Sequence, residues 1–486
     1  MDERLLTDDD RRLRPGRGER SPWLREALDD DGNPPPAPPL RGVTDADVAI
    51  IGGGYTGLWT AYQLITRDPS LRVVILEADI CGGGPSGRNG GFVNSWWDEA
   101  AGLIEAFGDA PARACLEASA ASVHEIGAWC DRHGIDAHYR RAGMLLASTT
   151  PAHDGRWDSD VAAAGALGDP EAYLPLDAEG VRRRCNSPRF RAGALMRDGA
   201  TVHPARLARG LRRVCLGTGV EIHEGTRVSR IRDGAGGRLR VIADGGEVRA
   251  RRAVLAINAW AAGWPGARSR VLAWGSYMVR SEPIPDLVQR ELGWTGGESI
   301  VDARFSVHYL HVTRDGRIAI GAGGGRPGLG GRIGTSFTDD VGSARRAAFA
   351  FRWLFPQLRD ARLTDAWGGP IDVSPDHLPH VWTSRRGRLL IAAGYSGNGV
   401  GPSHLLGRIL AALALDADDP ITRLPIVGRP RPAFPPEPFR HIGARVIREA
   451  MIRREDAEEA GRRPGRILRE LSRLPRRLGY HLGPGA

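Results

Sequence analysis

One stretch, DVAIIGGGYTGLWTAYQLITRDPSLRVVILE (residues 47–77), limits what this chain can fold into more than any other. The apolar run Val48-Ala49-Ile50-Ile51 reads as a buried parallel strand. Gly52, Gly54 and Gly57 then fall in a G-x-G-x-x-G turn, residues 57–66 continue as a helix, and RVVILE (72–77) is a second buried strand. Strand, turn, helix and strand in about 30 residues make the unit of a parallel α/β fold. In such a turn the first glycine permits the bend, the second lets backbone approach a pyrophosphate, and the third lets helix and strand pack. The pyrophosphate sits on free N–H groups at the positive end of the helix dipole. Glu77, 20 residues past Gly57, stands where a carboxylate accepts hydrogen bonds from ribose hydroxyls, and an acid there disfavours a 2′-phosphate.

Two further glycine-rich segments are out of place in a simple dinucleotide domain. CGGGPSGRNGG (81–91) follows the second strand where an ordinary helix would start. Such a loop can pass backbone under a flat ring. GYSGNGVG (394–401) follows the apolar strand RLLIAAG (388–394) and precedes a helix starting near Ser403, so it offers a second helix N-terminus to a negative centre.

The rest of the chain sorts around these motifs. At 486 residues and 41% hydrophobic it can bury a sizeable core. Residues 1–40 are charged and end in NPPPAPPL, an arm expected to stay largely off the core although Trp23 and Leu24 can dock. Helices are expected at 111–133, 204–216 and 340–355. Sheet is expected over 270–325, with a hairpin at Arg314-Asp315-Gly316. RPRPAFPPEP (429–438) marks a boundary before a basic amphipathic tail, 429–486.

The three glycine segments together resemble the D-amino-acid oxidase / glycine oxidase / sarcosine oxidase superfamily of FAD-dependent oxidoreductases, nearest its gamma-glutamylputrescine-oxidase-like branch. Also similar are ATVHPARLARGL (200–211), VLAINAW (254–260) and AWGGPIDVSPDHLP (366–379). The resemblance implies an α/β fold. Its FAD-binding Rossmann-like domain, of glutathione-reductase type, is discontinuous (44–100, 190–262 and 360–425). A mixed-sheet α+β substrate domain fills 101–189 and 263–359. It implies oxidation of the C–N bond of an amine or amino acid, by hydride transfer to flavin N5, to an imine that hydrolyses. It places Gly52, Gly54, Thr56 and Gly57 at the pyrophosphate, Glu77 at the ribose and Val228 on the adenine side. It places Ser86, Arg88, Asn89 and Gly90 along the ring, with Gly369, Gly397, Asn398, Gly399 and Val400 at the isoalloxazine. His311, Trp367 and Tyr395 are the expected catalytic side chains, His311 keeping the amine deprotonated. Trp274, Tyr277 and His308 are further pocket candidates, whereas Asp372 and Asp376 are expected to serve turns.

The chain departs from the family in three ways. No cysteine lies near Trp367-Gly368-Gly369, so FAD is expected to be non-covalent. All 67 cations are arginine, so no lysine can activate O2 as in sarcosine oxidases, and the electron acceptor is O2 or another molecule, a quinone or carrier protein in the dehydrogenase alternative. Thr313 stands where related oxidases carry a carboxylate-clamping arginine. A net charge of +9 concentrated in the tail, without a recognition motif, does not suggest nucleic-acid binding. Peripheral membrane contact through the tail is conceivable, but packing of its apolar face on the body is favoured. Five scattered cysteines (no disulfide framework, no metal site) and no signal peptide or membrane span lead to an expected cytoplasmic location.

Overall fold

The computed structural model describes residues 3–16, 20–430 and 433–480. Parts of the arm (1–2, 17–19) and tail (431–432, 481–486) lie outside the described residues. The strand Gly42–Ile51 runs parallel to Val73–Leu76 on one side and to Gly246–Leu255 on the other. Val73–Leu76 is buried along its whole length, as a strand covered on both faces must be. Glu221–His223 extends this parallel edge. On its other edge the long strand Gly246–Leu255 serves two more partners: its first half pairs antiparallel with Leu239–Ala243, and its last residues pair parallel with Leu389–Ala393. Val228–Asp233 and His380–Ser384 complete the eight-stranded sheet. The strands Glu221–His223 and Val228–Asp233 are separated by residues 224–227.

Three helices pack together in this half of the molecule. Tyr55–Arg67 and Asp109–Arg132 meet edge to face through Trp59 and Trp129, whose ring centroids are 4.9 Å apart. Val400–Ala414 crosses Tyr55–Arg67 so closely that a Cβ at Gly407 would lie 2.6 Å from Trp59 Cβ.

The second eight-stranded sheet runs in the order 363–373, 272–281, 318–322, 308–312, 299–302, 144–147, 193–196, 173–176. It is mixed: Ser299–Asp302 is parallel to Met144–Ala147 and the other pairs are antiparallel. The expected hairpin joins His308–Val312 to Ile318–Ala322. Val341–Leu354 closes one face, burying Phe351 and Leu354 in the same core as Ile318 and Ile320. Gly193–Met196 and Leu363–Val373 belong to this sheet, although they fall in segments assigned from sequence to the FAD domain. Conversely Asp109–Arg132, assigned to the substrate domain, packs on the first sheet's helices. Apolar periodicity reveals that an element is buried, not which partner buries it.

Trp23 and Leu24 of the arm do dock, and more of the arm packs on the body than expected. Its helix Pro22–Asp30 buries Trp23, Leu24 and Ala27, capped by Ser21. Glu26 pairs with Arg280 at 2.6 Å and His203 at 3.2 Å. Earlier in the arm, buried Asp10 takes a two-pronged bond from buried Arg352 at 2.8 and 2.9 Å. The tail forms helices Phe439–Glu459 and Arg466–Arg477. Ala450, Met451 and Glu455 are buried against the body, but Ile442 and Val446 of the same helix are exposed. All five cysteines are buried and unpaired in disulfides. Among the described residues, no helix is long and apolar enough to cross a membrane, and no cluster of His, Cys, Asp or Glu could hold a metal ion.

Candidate active site

The first glycine turn has the geometry its chemistry requires. Gly52 adopts φ +107°, and a Cβ on it would lie 2.3 Å from the carbonyl oxygen of Ala256. A Cβ on Gly57 would come within 1.9 Å of Gly52 O, so only hydrogen fits. The helix Tyr55–Arg67 starts at Gly54 with no side-chain cap, leaving first-turn N–H groups for a ligand. One is shared: Tyr55 N–H donates to Ser86 Oγ at 2.9 Å. Glu77 accepts from Gly53 N–H at 2.7 Å and from Asp79 N–H at 2.9 Å, so its carboxylate is aimed before any ribose arrives. Burial raises its pKa against those two donors. Val228 is half-buried against the apolar cluster containing Ile51 and Leu76, at the ends of the first two strands.

The second turn opens beside the first. The helix Val400–Ala414 begins at Gly399, again without a side-chain cap. The hydroxyls of Tyr395 and Thr56 are 2.6 Å apart, joining one turn to the other. Asp372 fixes this loop by accepting from Gly394 N–H at 2.5 Å, Tyr395 N–H at 3.3 Å and Asn258 Nδ2 at 2.7 Å. Burial nevertheless pushes its carboxyl pKa up to about 7.

Between the loops lies a cavity of about 470 Å³, a size suited to a cofactor ring with a small molecule beside it. Arg88, Asn89 and Gly90 line one part and Gly369, Gly397 and Asn398 another. The second sheet contributes Met144, Trp274, Met278 and Tyr309; the tail contributes Phe439, Ile447 and Leu474. Two indoles fix the ring loop from behind: Trp367 Nε1–H donates to Arg88 O at 2.8 Å, and Trp23 Nε1–H to Asn89 O at 3.1 Å. Asp98 faces the cavity with a buried Oδ1 that has no hydrogen-bond partner. Burial first, then the negative charges of Glu99 and Asp160, hold its carboxyl well above the usual range. His377 also lines the cavity, its Nδ1 3.0 Å from Glu99 Oε1. The buried acceptor oxygens Asn94 Oδ1 and Asn398 Oδ1 have no hydrogen-bond partner either, and Asn398 Nδ2 donates to Ser95 O at 3.3 Å.

The three expected catalytic side chains lie off this cavity. His311 is stacked under Trp23 (centroids 6.2 Å apart) and edge-on to Phe92, and burial drops its pKa to about 4. Trp367 packs edge-on to Trp23 and holds the ring loop. Tyr395 spends its hydroxyl on Thr56. The docked arm is the physical reason for the first two, since Trp23 occupies the space that His311 would otherwise face. Ser86 takes the Tyr55 N–H at the first turn and is not part of the cavity lining. Tyr277 donates to Ser336 O, and His308 turns away to Asp302 at 2.7 Å. Trp274 does line the cavity. Sequence reasoning missed Asp98, His377 and the tail as parts of the site; it allowed Trp23 to dock, on the capped amphipathic SPWLREAL (21–28), but not that its indole reaches Asn89 O.

The chain is similar to known proteins. Residues 47–413 match the family model described as DAO, FAD dependent oxidoreductase. The chain is 29% identical over 412 residues to the probable oxidoreductase OrdL of Rhizobium meliloti (strain 1021), covering 82% of this chain and 90% of that one. It is 28% identical to the gamma-glutamylputrescine oxidoreductase of Escherichia coli (strain K12), covering 76% and 83%. The crystal structure of glycine oxidase from Geobacillus kaustophilus superposes with a TM-score of 0.64 at 22% identity, covering 80% of this chain and all of that one. FAD fits the residues present: two uncapped helix starts for its negative centres, a pre-aimed carboxylate for its ribose, and a glycine-walled slot for its ring. The chain belongs to the DAO family of FAD-dependent oxidoreductases.

Proposed function

We propose that this enzyme oxidises the C–N bond of an amine carrying an apolar group. Bound in the slot, FAD would supply the two-electron acceptor for hydride loss from the carbon beside a neutral amine nitrogen, the imine product then being hydrolysed by water. Gly52, Gly54, Thr56 and Gly57 would hold the pyrophosphate, Glu77 the ribose and Val228 the adenine side. Arg88, Asn89, Gly90, Gly369, Gly397, Asn398, Gly399 and Val400 would surround the ring.

The observation that carries the reading is the cavity's lining beside the ring. Its unpartnered side-chain atoms are mainly acceptors, among them Asp98 Oδ1, Asn94 Oδ1 and Asn398 Oδ1; the exception is the donor Arg304 Nε, whose guanidinium is otherwise held by Glu455 and Glu459. Acceptors suit the N–H groups of an amine. Each arginine on its wall is already engaged. Arg304 pairs with Glu455 and Glu459, and Arg440 with Glu437. Arg448 donates to the carbonyls of Gly324 and Gly325, and Arg88 to those of Gly83 and Gly368. A carboxylate clamp is therefore not poised, which favours an amine over an amino acid. Asp98 takes the role expected of His311. Its unpartnered Oδ1 faces the cavity, where the ionised carboxylate can accept the proton of an entering ammonium and leave the nitrogen lone pair free for hydride loss.

The test is an anaerobic panel of alkylamines, arylalkylamines, diamines and D- and L-amino acids, followed by bleaching of the flavin absorbance. Fastest bleaching by amines with apolar groups is expected. Bleaching by amino acids alone would refute the substrate class, and no bleaching by any compound would refute C–N oxidation. Repeating turnover in air and with an added quinone decides the acceptor.

A further inference from the structure

We infer that the C-terminal helical hairpin is a docking surface for an anionic lipid membrane, with the mouth of the active-site cavity facing the lipid. The hairpin (439–477) lies beyond the family match, which ends at residue 413. Of the eleven exposed large apolar side chains among the described residues, six are in the hairpin or at its C-cap: Phe439, Ile442, Val446, Ile467, Leu474 and Leu478. Their spacing gathers them into two stripes. Phe439, Ile442 and Val446 fall on one face of the first helix, and Ile467, Leu474 and Leu478 on one face of the second. The stripes meet, because Phe439, Leu474 and Leu478 all line the cavity described above.

The charges separate by direction. Glu455, Glu458 and Glu459 turn inward. Glu455 and Glu459 pair with Arg304, just past the strand Ser299–Asp302 of the second sheet, and Glu458 faces His153 and Arg156. What remains outside is cationic. Arg445, Arg453, Arg462, Arg463, Arg466, Arg469, Arg473, Arg476 and Arg477 are exposed, against exposed Glu449 and Glu470 alone among the hairpin's acids. Aliphatic stripes flanked by arginine are what an interfacial helix needs: apolar side chains enter the acyl boundary while guanidinium groups meet anionic headgroups. A second copy of the chain is a poor occupant, since a two-fold contact would press nine arginines against nine. Nucleic acid would leave the stripes unused, and no tryptophan occurs in the hairpin to anchor a protein partner.

The experiment uses the full-length FAD-loaded enzyme and co-sedimentation with vesicles. Binding to phosphatidylglycerol/phosphatidylcholine vesicles at 50 mM NaCl is expected, at least tenfold weaker at 500 mM NaCl and on pure phosphatidylcholine. Ile467→Asp should weaken it tenfold or more. Ile442→Asp on the other helix and the triple change Arg473→Glu, Arg476→Glu, Arg477→Glu should each do the same. None of these residues lines the cavity, so bleaching by a water-soluble amine and FAD content should stay at the wild-type level, which also shows that the variants fold. Failure to bind the anionic vesicles, or equal binding by wild type and variants, overturns the proposal. So does a solution dimer that Ile467→Asp converts to monomer. Vesicle binding is read without turnover, so the result stands apart from the proposed amine oxidation.

Discussion

Glu77 shows how much one side chain can do before a ligand arrives. Its carboxylate already spans Gly53 and Asp79 N–H, so Glu77→Ala removes both the ribose acceptor and part of the turn's own support. Hydrogen bonds to a charged group contribute about 1.5–3 kcal/mol each, so FAD should dissociate at least tenfold more readily, as measured by flavin retained after ultrafiltration. Asp98→Asn keeps the shape but removes the proton acceptor. It should lower kcat/KM about 100-fold or more with flavin content unchanged; wild-type kinetics would remove Asp98 from the chemistry. Asp372 gives a pH signature. Its folded pKa near 7 is above the ordinary 3.8, so the folded chain holds that proton more tightly than the unfolded one. Its contribution to stability is full below about pH 4 and lost as pH rises through 7. Between pH 4 and 8 the wild type should therefore lose on the order of 4 kcal/mol relative to Asp372→Asn, seen as diverging denaturant midpoints.

At the scale of elements, what the sequence disclosed follows a physical rule. The strand, turn and helix around Gly52–Gly57 were legible because a dinucleotide turn needs glycine at fixed offsets and buried strands need continuous apolar runs. The second and third glycine loops were legible for the same reason. The catalytic candidates were not: His311 and Tyr309 share a strand face, but only the position of a remote helix decides which of them meets the cavity. That helix, Pro22–Asp30, looks from composition like part of a charged arm, and its docking depends on Trp23 finding Asn89 O, His311 and Trp367 across the fold. Trp23→Ala should cost about 3–5 kcal/mol in unfolding free energy, the range for emptying a buried tryptophan site, and should also weaken FAD retention because Asn89 loses its brace. A change in stability with flavin binding untouched would show that the arm does not support the ring loop.

For the whole molecule, the decisive relation is that two turns more than 300 residues apart in sequence open side by side. Their helices are held at that spacing by Gly407 against Trp59. Gly407→Val, although remote from the cavity, should push the helices apart. It should destabilise the protein by about 1–3 kcal/mol, typical of overpacking, and reduce flavin content together with it. Flavin affinity equal to wild type at full occupancy of the folded state would mean that the two openings tolerate independent movement.

Trp23 and Trp367 brace the carbonyls of Asn89 and Arg88 from directly behind the slot. Indole emission overlaps the near-ultraviolet absorption of an oxidised isoalloxazine. The chain thus carries its own optical gauge: emission from these two side chains should dim as the slot fills and brighten as it empties, with no dye attached.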